Sequence, residues 1–185
     1  MNSPVQSERY PSAGIAMHWA TLLLMVAIYA SIQLHEALPR GNPLRGPAED
    51  WHIYLGLCLL PLAIYRFFTI LKATIPPITP QPPAWQMLIT RLMKVYLYVL
   101  MIGMPIIGWV LLSAEGNAVR LFVIPLPPLA PESEGLAEIA AEAHELLGES
   151  GYIFIMVHAL AALYHHYVVK DDTLKRMLPR FISRR

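Results

Sequence analysis

Gly151-Tyr-Ile-Phe-Ile-Met-Val-His-Ala-Leu-Ala-Ala-Leu-Tyr-His-His-Tyr-Val-Val169 decides how this chain is read. The stretch carries no acid, lysine or arginine and approaches the ~20 residues that a bilayer-spanning helix needs. His158 stands inside it, and His144 lies fourteen residues upstream. On an α-helix fourteen residues turn through about 1,400°, about 40° short of four turns, and rise ~21 Å. One helix therefore offers two imidazoles on nearly one face at two depths. Each needs a partner from another helix, and His18 and His52, near the starts of two other apolar segments, are the candidates. The pattern is that of two stacked bis-histidine cofactor sites.

The composition supports a membrane setting. Of the 185 residues 56% are hydrophobic and only 15% charged, against about a quarter charged in an ordinary soluble domain. The length fits a single domain, residues 1–185. Four spans are long and apolar enough to cross a bilayer, at about 13–34, 51–71, 88–113 and 144–169, and a run from Glu134 to Leu147 turns helical and extends the fourth helix beyond the membrane. The expected fold is all-α, a transmembrane four-helix bundle. Ile75-Pro-Pro-Ile-Thr-Pro-Gln-Pro-Pro83 reads as a short surface connector, because prolines lack the amide hydrogen a helix needs. The loop from Ala114 to Glu134, with Ile124-Pro-Leu-Pro-Pro-Leu-Ala-Pro131, reads as stiff and extended. The first span exceeds a typical signal-peptide core and no A-x-A site follows it, so it is expected to be retained.

Orientation follows from the basic residues. With the N-terminus in the cytoplasm, eleven of the fourteen fall on the cytoplasmic side, and only Arg40, Arg45 and Arg120 on the other, beside ten acids. The chain is expected to be a multi-pass protein of a bacterial cell inner membrane, both termini cytoplasmic. His18 and His158 then meet in the inner half and His52 and His144 in the outer half.

Cys58 has no partner in the chain, which excludes internal disulfides, thiolate metal sites and covalent C-x-x-C-H haem attachment. A b-type haem iron that does not bind oxygen takes an imidazole on each face, and two such haems form a wire across the membrane. For any single histidine here, a hydrogen bond across a helix interface is an equal alternative. Depth-matched pairing favours ligation. Gly14, Gly56 and Gly151, at helical spacing from the ligands, either clear room for a macrocycle or let helices approach. Arg66, fourteen residues after His52, suits a haem propionate or a membrane-surface anchor equally. His165 and His166, beyond His158, suit proton exchange with a quinone or an interfacial hydrogen bond. His35 reads as a solvated loop residue.

The chain resembles the bacterial cytochrome b561 family, and within it the short branch that includes superoxide oxidase. The resemblance is carried by Ile15-Ala-Met-His-Trp19, Trp51-His-Ile-Tyr-Leu-Gly56 leading to Arg66-Phe-Phe, and Pro76-Pro77. It continues in Leu97-Tyr98 through Pro105-Ile-Ile-Gly-Trp109, and in His158-Ala-Leu-Ala-Ala-Leu-Tyr-His-His-Tyr167 with Lys170-Asp-Asp-Thr-Leu-Lys-Arg-Met177. It implies four transmembrane helices, two haem b groups with iron ligands at His18, His52, His144 and His158, and ubiquinone as redox partner. It also implies electron transfer between an outer-side donor and the quinone pool, most specifically as superoxide:quinone oxidoreductase. No side chain is expected to break covalent bonds, and no nucleic-acid partner is expected. Lys94 stands where many relatives carry a histidine, so that position is not expected to be a ligand. The ten outer acids would repel superoxide and would suit a basic redox protein instead. The alternative function is a haem-bearing anchor subunit passing electrons from a partner dehydrogenase or hydrogenase to quinone. A third, a haem-free metal transporter using His52 and His144, would lack carboxylates inside the membrane.

Overall fold

A computed structural model describes residues 9–72, 78 and 81–179. Four long helices account for most of them: α1 Ser12–Ala37, α2 Arg45–Lys72, α3 Ala84–Ala114 and α4 Glu134–Tyr164. All four are long and apolar enough to cross a membrane, α4 together with the five-residue π turn that continues it, His165–Val169. The chain forms a transmembrane four-helix bundle. Most of the connector at 75–83, with Pro76 and Pro77, and the basic residues Arg180, Arg184 and Arg185 lie outside the described residues.

The helix boundaries have local causes. Leu38 ends α1 in an extended conformation because Pro39 follows it and disfavours the helical region for the residue before. α2 starts six residues ahead of Trp51, at Arg45, since Pro47 in a first turn costs no hydrogen bond that a helix would make there. Pro61 and Pro105 sit inside α2 and α3. Each removes one backbone donor, and membrane helices tolerate this where neighbouring helices pack against the break. Ser133 caps α4 by accepting the Leu136 amide at 3.4 Å. Counted with the π turn, α4 spans 36 residues, about 54 Å of helix against a hydrocarbon core of about 30 Å. The surplus is the amphipathic stretch that starts at Glu134.

α1 packs along α2, α2 along α3 and α3 along α4, while α1 meets α4 through side chains such as Tyr29. The core sits at mid-depth between α1, α2 and α3, where Ile28, Leu59, Ala63 and Met101 are buried against Leu24, Met25, Leu55, Tyr98 and Ile102. Outward faces stay apolar, with Leu23, Val26, Leu92, Val99, Met156 and Leu160 all exposed. In a bilayer such faces meet lipid.

Two details depart from the sequence reading. The loop after α3 is not uniformly extended: β1 Arg120–Leu121 pairs antiparallel with β2 Ile124–Pro125 in a minimal hairpin. His35 lies in the last turn of α1, its Nδ1 3.0 Å from the Arg45 carbonyl and 3.7 Å from Glu49. Arg45 in turn donates to the His35 and Leu38 carbonyls at 2.5 and 2.8 Å. His35 therefore ties the α1–α2 corner and is not a solvated loop residue.

Candidate haem sites

The bundle brings the four histidines together in two pairs. His52 on α2 and His144 on α4 face each other near the acidic end, ring centres 6.1 Å apart and planes at 78°. His18 on α1 and His158 on α4 do the same near the basic end, at 6.3 Å and 71°. With a metal–nitrogen bond of about 2 Å and about 1.1 Å from ring nitrogen to ring centre, two imidazoles on opposite sides of one iron stand about 6.2 Å apart. Both separations match.

The donor set fits the same group. Each pair supplies two neutral nitrogens, and no group of three or more histidine, cysteine or carboxylate side chains gathers for a metal among the described residues. Two imidazoles suit an iron whose remaining four ligands belong to a macrocycle. At the acidic end the space for it is present: a cleft of about 470 Å³ is bordered by His52, His144, Gly56, Met25, Leu100 and Met104. That volume falls in the usual range for cofactor sites.

Second partners orient the rings. His52 Nδ1 stands 3.1 Å from the Ile28 carbonyl, which can only accept, so the proton is on Nδ1 and the Nε2 lone pair is free for a metal. The Met104 carbonyl lies beside His144, without closing a hydrogen bond to Nδ1 among the described residues. At the basic end the polarity is reversed. Arg66 Nη2 sits 2.9 Å from His18 Nδ1, and a guanidinium only donates. His18 Nδ1 therefore accepts and its proton sits on Nε2. Arg66 is turned into the bundle, 5.9 Å from the Tyr98 ring centre, and its Nε is buried without a partner among the described residues. A guanidinium so placed is no membrane-surface anchor.

The glycines divide by role. A Cβ added at Gly14 or Gly56 would meet nothing within 4 Å, and Gly56 borders the cleft at the His52–His144 pair. Gly151 serves helix approach instead: its Cβ would run into Tyr29 Oη and come within 3.1 Å of Leu100 Cδ2. Tyr29 donates to the Gly148 carbonyl at 2.9 Å and stacks on Tyr152 at 4.3 Å, stitching α1 to α4 between the two sites.

At the basic end His165 Nδ1 donates to Asp171 Oδ2 at 2.5 Å, and the side chain of Asp171 is 1% exposed. Burial pushes the Asp171 carboxyl up, but hydrogen bonds from His165 and Thr173 outweigh it and hold the group below its ordinary value. The chain after α4 turns back under the bundle, where Met177 accepts from Trp19 Nε1 at 2.8 Å, next to His18. His166 Nδ1 is buried without a partner among the described residues.

Sequence reasoning missed Gly108, whose added Cβ would stand 3.0 Å from His144 Cε1. It also missed Asp171 and the Trp19–Met177 tie, although all three lie in the motifs quoted above. The only available signal was a polar residue six positions past His165 and an indole next to His18.

Fold and donor set together define a membrane cytochrome. A family model described as prokaryotic cytochrome b561 matches residues 9–180. The chain is 32% identical over 173 residues to cytochrome b561 homolog 1 of Escherichia coli (strain K12), covering 94% of this chain and 98% of that protein. It is 33% identical over 177 residues to a Yersinia pestis protein described as probable superoxide oxidase CybB, covering 94% and 97%. Cytochrome b561 homolog 2 of Escherichia coli is 28% identical over 179 residues, 95% of this chain and 94% of that one. The chain belongs to the prokaryotic cytochrome b561 family, whose members hold haem b.

Proposed function

We propose that the protein is a di-haem membrane cytochrome that moves electrons from a donor at its acidic end to ubiquinone at its basic end. The single observation that carries this is the pair of imidazole couples at 6.1 and 6.3 Å, the span of one iron each. His52 and His144 would hold one haem, His18 and His158 the other. When bound, the two haems supply one-electron transfer with no open coordination position.

The chain's own residues then have distinct tasks. Ile28 fixes the His52 tautomer. If His18 Nε2 held the iron, the ring proton would belong on Nδ1, and the Arg66 guanidinium beside it would be available to a propionate carboxylate. Asp171 fixes His165, leaving Nε2 to exchange protons with a quinone at the end of α4. The basic end faces the cytoplasm of a bacterial inner membrane, because Arg66, Lys72, Arg91, Lys94, Lys170, Lys175 and Arg176 collect there.

In the sharpest version two superoxide anions lose one electron each and leave as dioxygen, while one quinone gains two electrons and two protons. The similarity to the Yersinia pestis relative supports it. The competing donor is a basic redox protein, which makes the chain a haem-bearing anchor subunit. One observation favours it: Glu36, Glu145 and Glu149 border the cleft at the acidic end. Haem content tests the ligand assignment: His144→Ala and His158→Ala should each lose one haem, and loss of both or neither overturns the pairing. Stopped-flow reduction by superoxide tests the donor. An anion meeting carboxylates reacts faster as salt rises, whereas a cationic protein donor reacts more slowly. Reduction no faster than spontaneous dismutation rejects superoxide.

A further inference from the structure

The hairpin between α3 and α4 has a tip made of the wrong residues for water. In two-residue hairpin turns the positions with positive φ belong to glycine, asparagine or aspartate. Here the turn is Phe122-Val123, and Phe122 holds φ at +55°. A bulky side chain in that region is strained and persists only where the surroundings hold it. The holding contacts are visible: the Phe122 ring lies 4.8 Å from Tyr54 and 6.0 Å from Trp51, both on α2. Beyond it Val123 is 90% exposed and Ile124 57%.

We propose that this hairpin is a lipid-binding element, whose tip inserts into the membrane interface at the acidic end of the bundle. The depth comes from α2. Glu49 and Asp50 are its last acids before the apolar run, Trp51 begins that run, and Tyr54 lies ~4.5 Å further along the helix. A ring seated on Tyr54 is thus level with the first turn of the membrane-spanning part. Trp51 and Tyr54 are residues of the type enriched at membrane interfaces, and Trp51 is itself exposed beside the hairpin. The apolar tip continues the lipid-facing surface of the bundle rather than forming an isolated patch in water. Arg120, exposed at the base of the hairpin, is placed to reach lipid phosphates while the tip stays apolar. The occupant is therefore phospholipid, and the strain at Phe122 is the means by which the turn presents Val123 outward.

The test uses the haem-loaded full chain in phosphatidylcholine–phosphatidylglycerol vesicles, carrying Cys58→Ala and one new cysteine labelled with acrylodan. Val123→Cys is compared with Glu138→Cys, an exposed position in the extramembrane part of α4. The expected result is blue-shifted emission at 123, quenching by doxyl-labelled lipid, and protection from acrylamide in the water, with the opposite pattern at 138. Acrylamide reaching 123 as readily as 138, with no lipid quenching, overturns the proposal. So does protection from both quenchers that disappears when the protein is diluted in the vesicles, because a second copy then covers the tip. Ile124→Cys provides the same reading if Val123→Cys fails to load haem, and the unchanged haem spectrum verifies each variant.

Discussion

Gly108→Ala separates haem binding from helix stability, because the two respond in opposite directions. Gly108 lies inside α3, where alanine is favoured over glycine by up to ~1 kcal/mol. However, the new Cβ would sit 3.0 Å from His144 Cε1 and 3.4 Å from Nδ1. Carbon atoms in comfortable contact stand at about 3.5–4.0 Å, so the imidazole has to give by a few tenths of an ångström. Metal–ligand distances tolerate only about 0.2 Å. Displacing a ligand through a neighbour typically costs 10–100-fold in metal affinity, which is about 1.4–2.7 kcal/mol. The assay is haem titration of Gly108→Ala placed in His158→Ala, a background expected to keep only the acidic-end site. Gly103→Ala is the control, since its Cβ meets nothing within 4 Å. The expected outcome is a 10–100-fold weaker site for Gly108→Ala with unchanged or raised thermal stability of the apo bundle. Equal affinity in the two alanine variants would refute the reasoning, and so would an equal loss at the other site in His144→Ala.

Gly151→Ala should destabilise the bundle by about 1–3 kcal/mol in thermal unfolding, because Tyr29 must leave the Gly148 carbonyl to make room. Tyr29→Phe should recover part of that loss. Asp171 is held below its ordinary value in the folded chain; its contribution is complete at neutral pH and falls away as pH drops through the folded value, below the usual carboxylate range. Hydrogen exchange over residues 170–177 should accelerate on that acid limb, and Asp171→Asn should abolish the pH dependence. Arg66→Leu should lower the midpoint of the basic-end haem by about 100 mV and leave the other unchanged. That figure follows from a unit charge about 7 Å away at an effective dielectric of 20, about 2.4 kcal/mol for one electron.

How far the sequence exposed this architecture depended on which physical signal each residue carries. His144 and His158 were paired with His52 and His18 because helical periodicity and membrane depth are both linear in residue number. Nothing linear announces a hairpin at Phe122-Val123, whose turn lacks the glycine or asparagine that signals one. Periodicity puts Arg66 on the His52 face of α2, but its contact with His18 depends on which side of α1 presents Nδ1, a matter of packing angle. Gly151 shows the same limit: glycine spacing marks a close approach, and only the packed bundle tells that Tyr29 fills it. The return of the chain to Trp19 is tied by a hydrogen bond, Trp19 to Met177, between residues 158 positions apart, which no local pattern announces.

The two ends of the bundle also differ in charge in a way that gives the proposed wire a direction. Glu36, Glu145 and Glu149 border the acidic-end cleft and favour the oxidised, more positive state of an iron held there. The Arg66 guanidinium, close to His18, would favour the reduced state of an iron held at the basic end. In the proposed wire, electrons would thus run downhill from the acidic end toward His165 and Asp171, where protons could join them. The same carboxylates slow any anionic donor that approaches the cleft, although screening over about 8 Å limits their reach at physiological salt. Direction and anion capture therefore compete for the same three side chains. Neutralising Glu145 and Glu149 would quicken superoxide entry while raising the acidic-end potential, so a gain in encounter rate comes with a loss of driving force. A basic protein donor faces no such conflict, since the charges that set the downhill direction would also hold it in place.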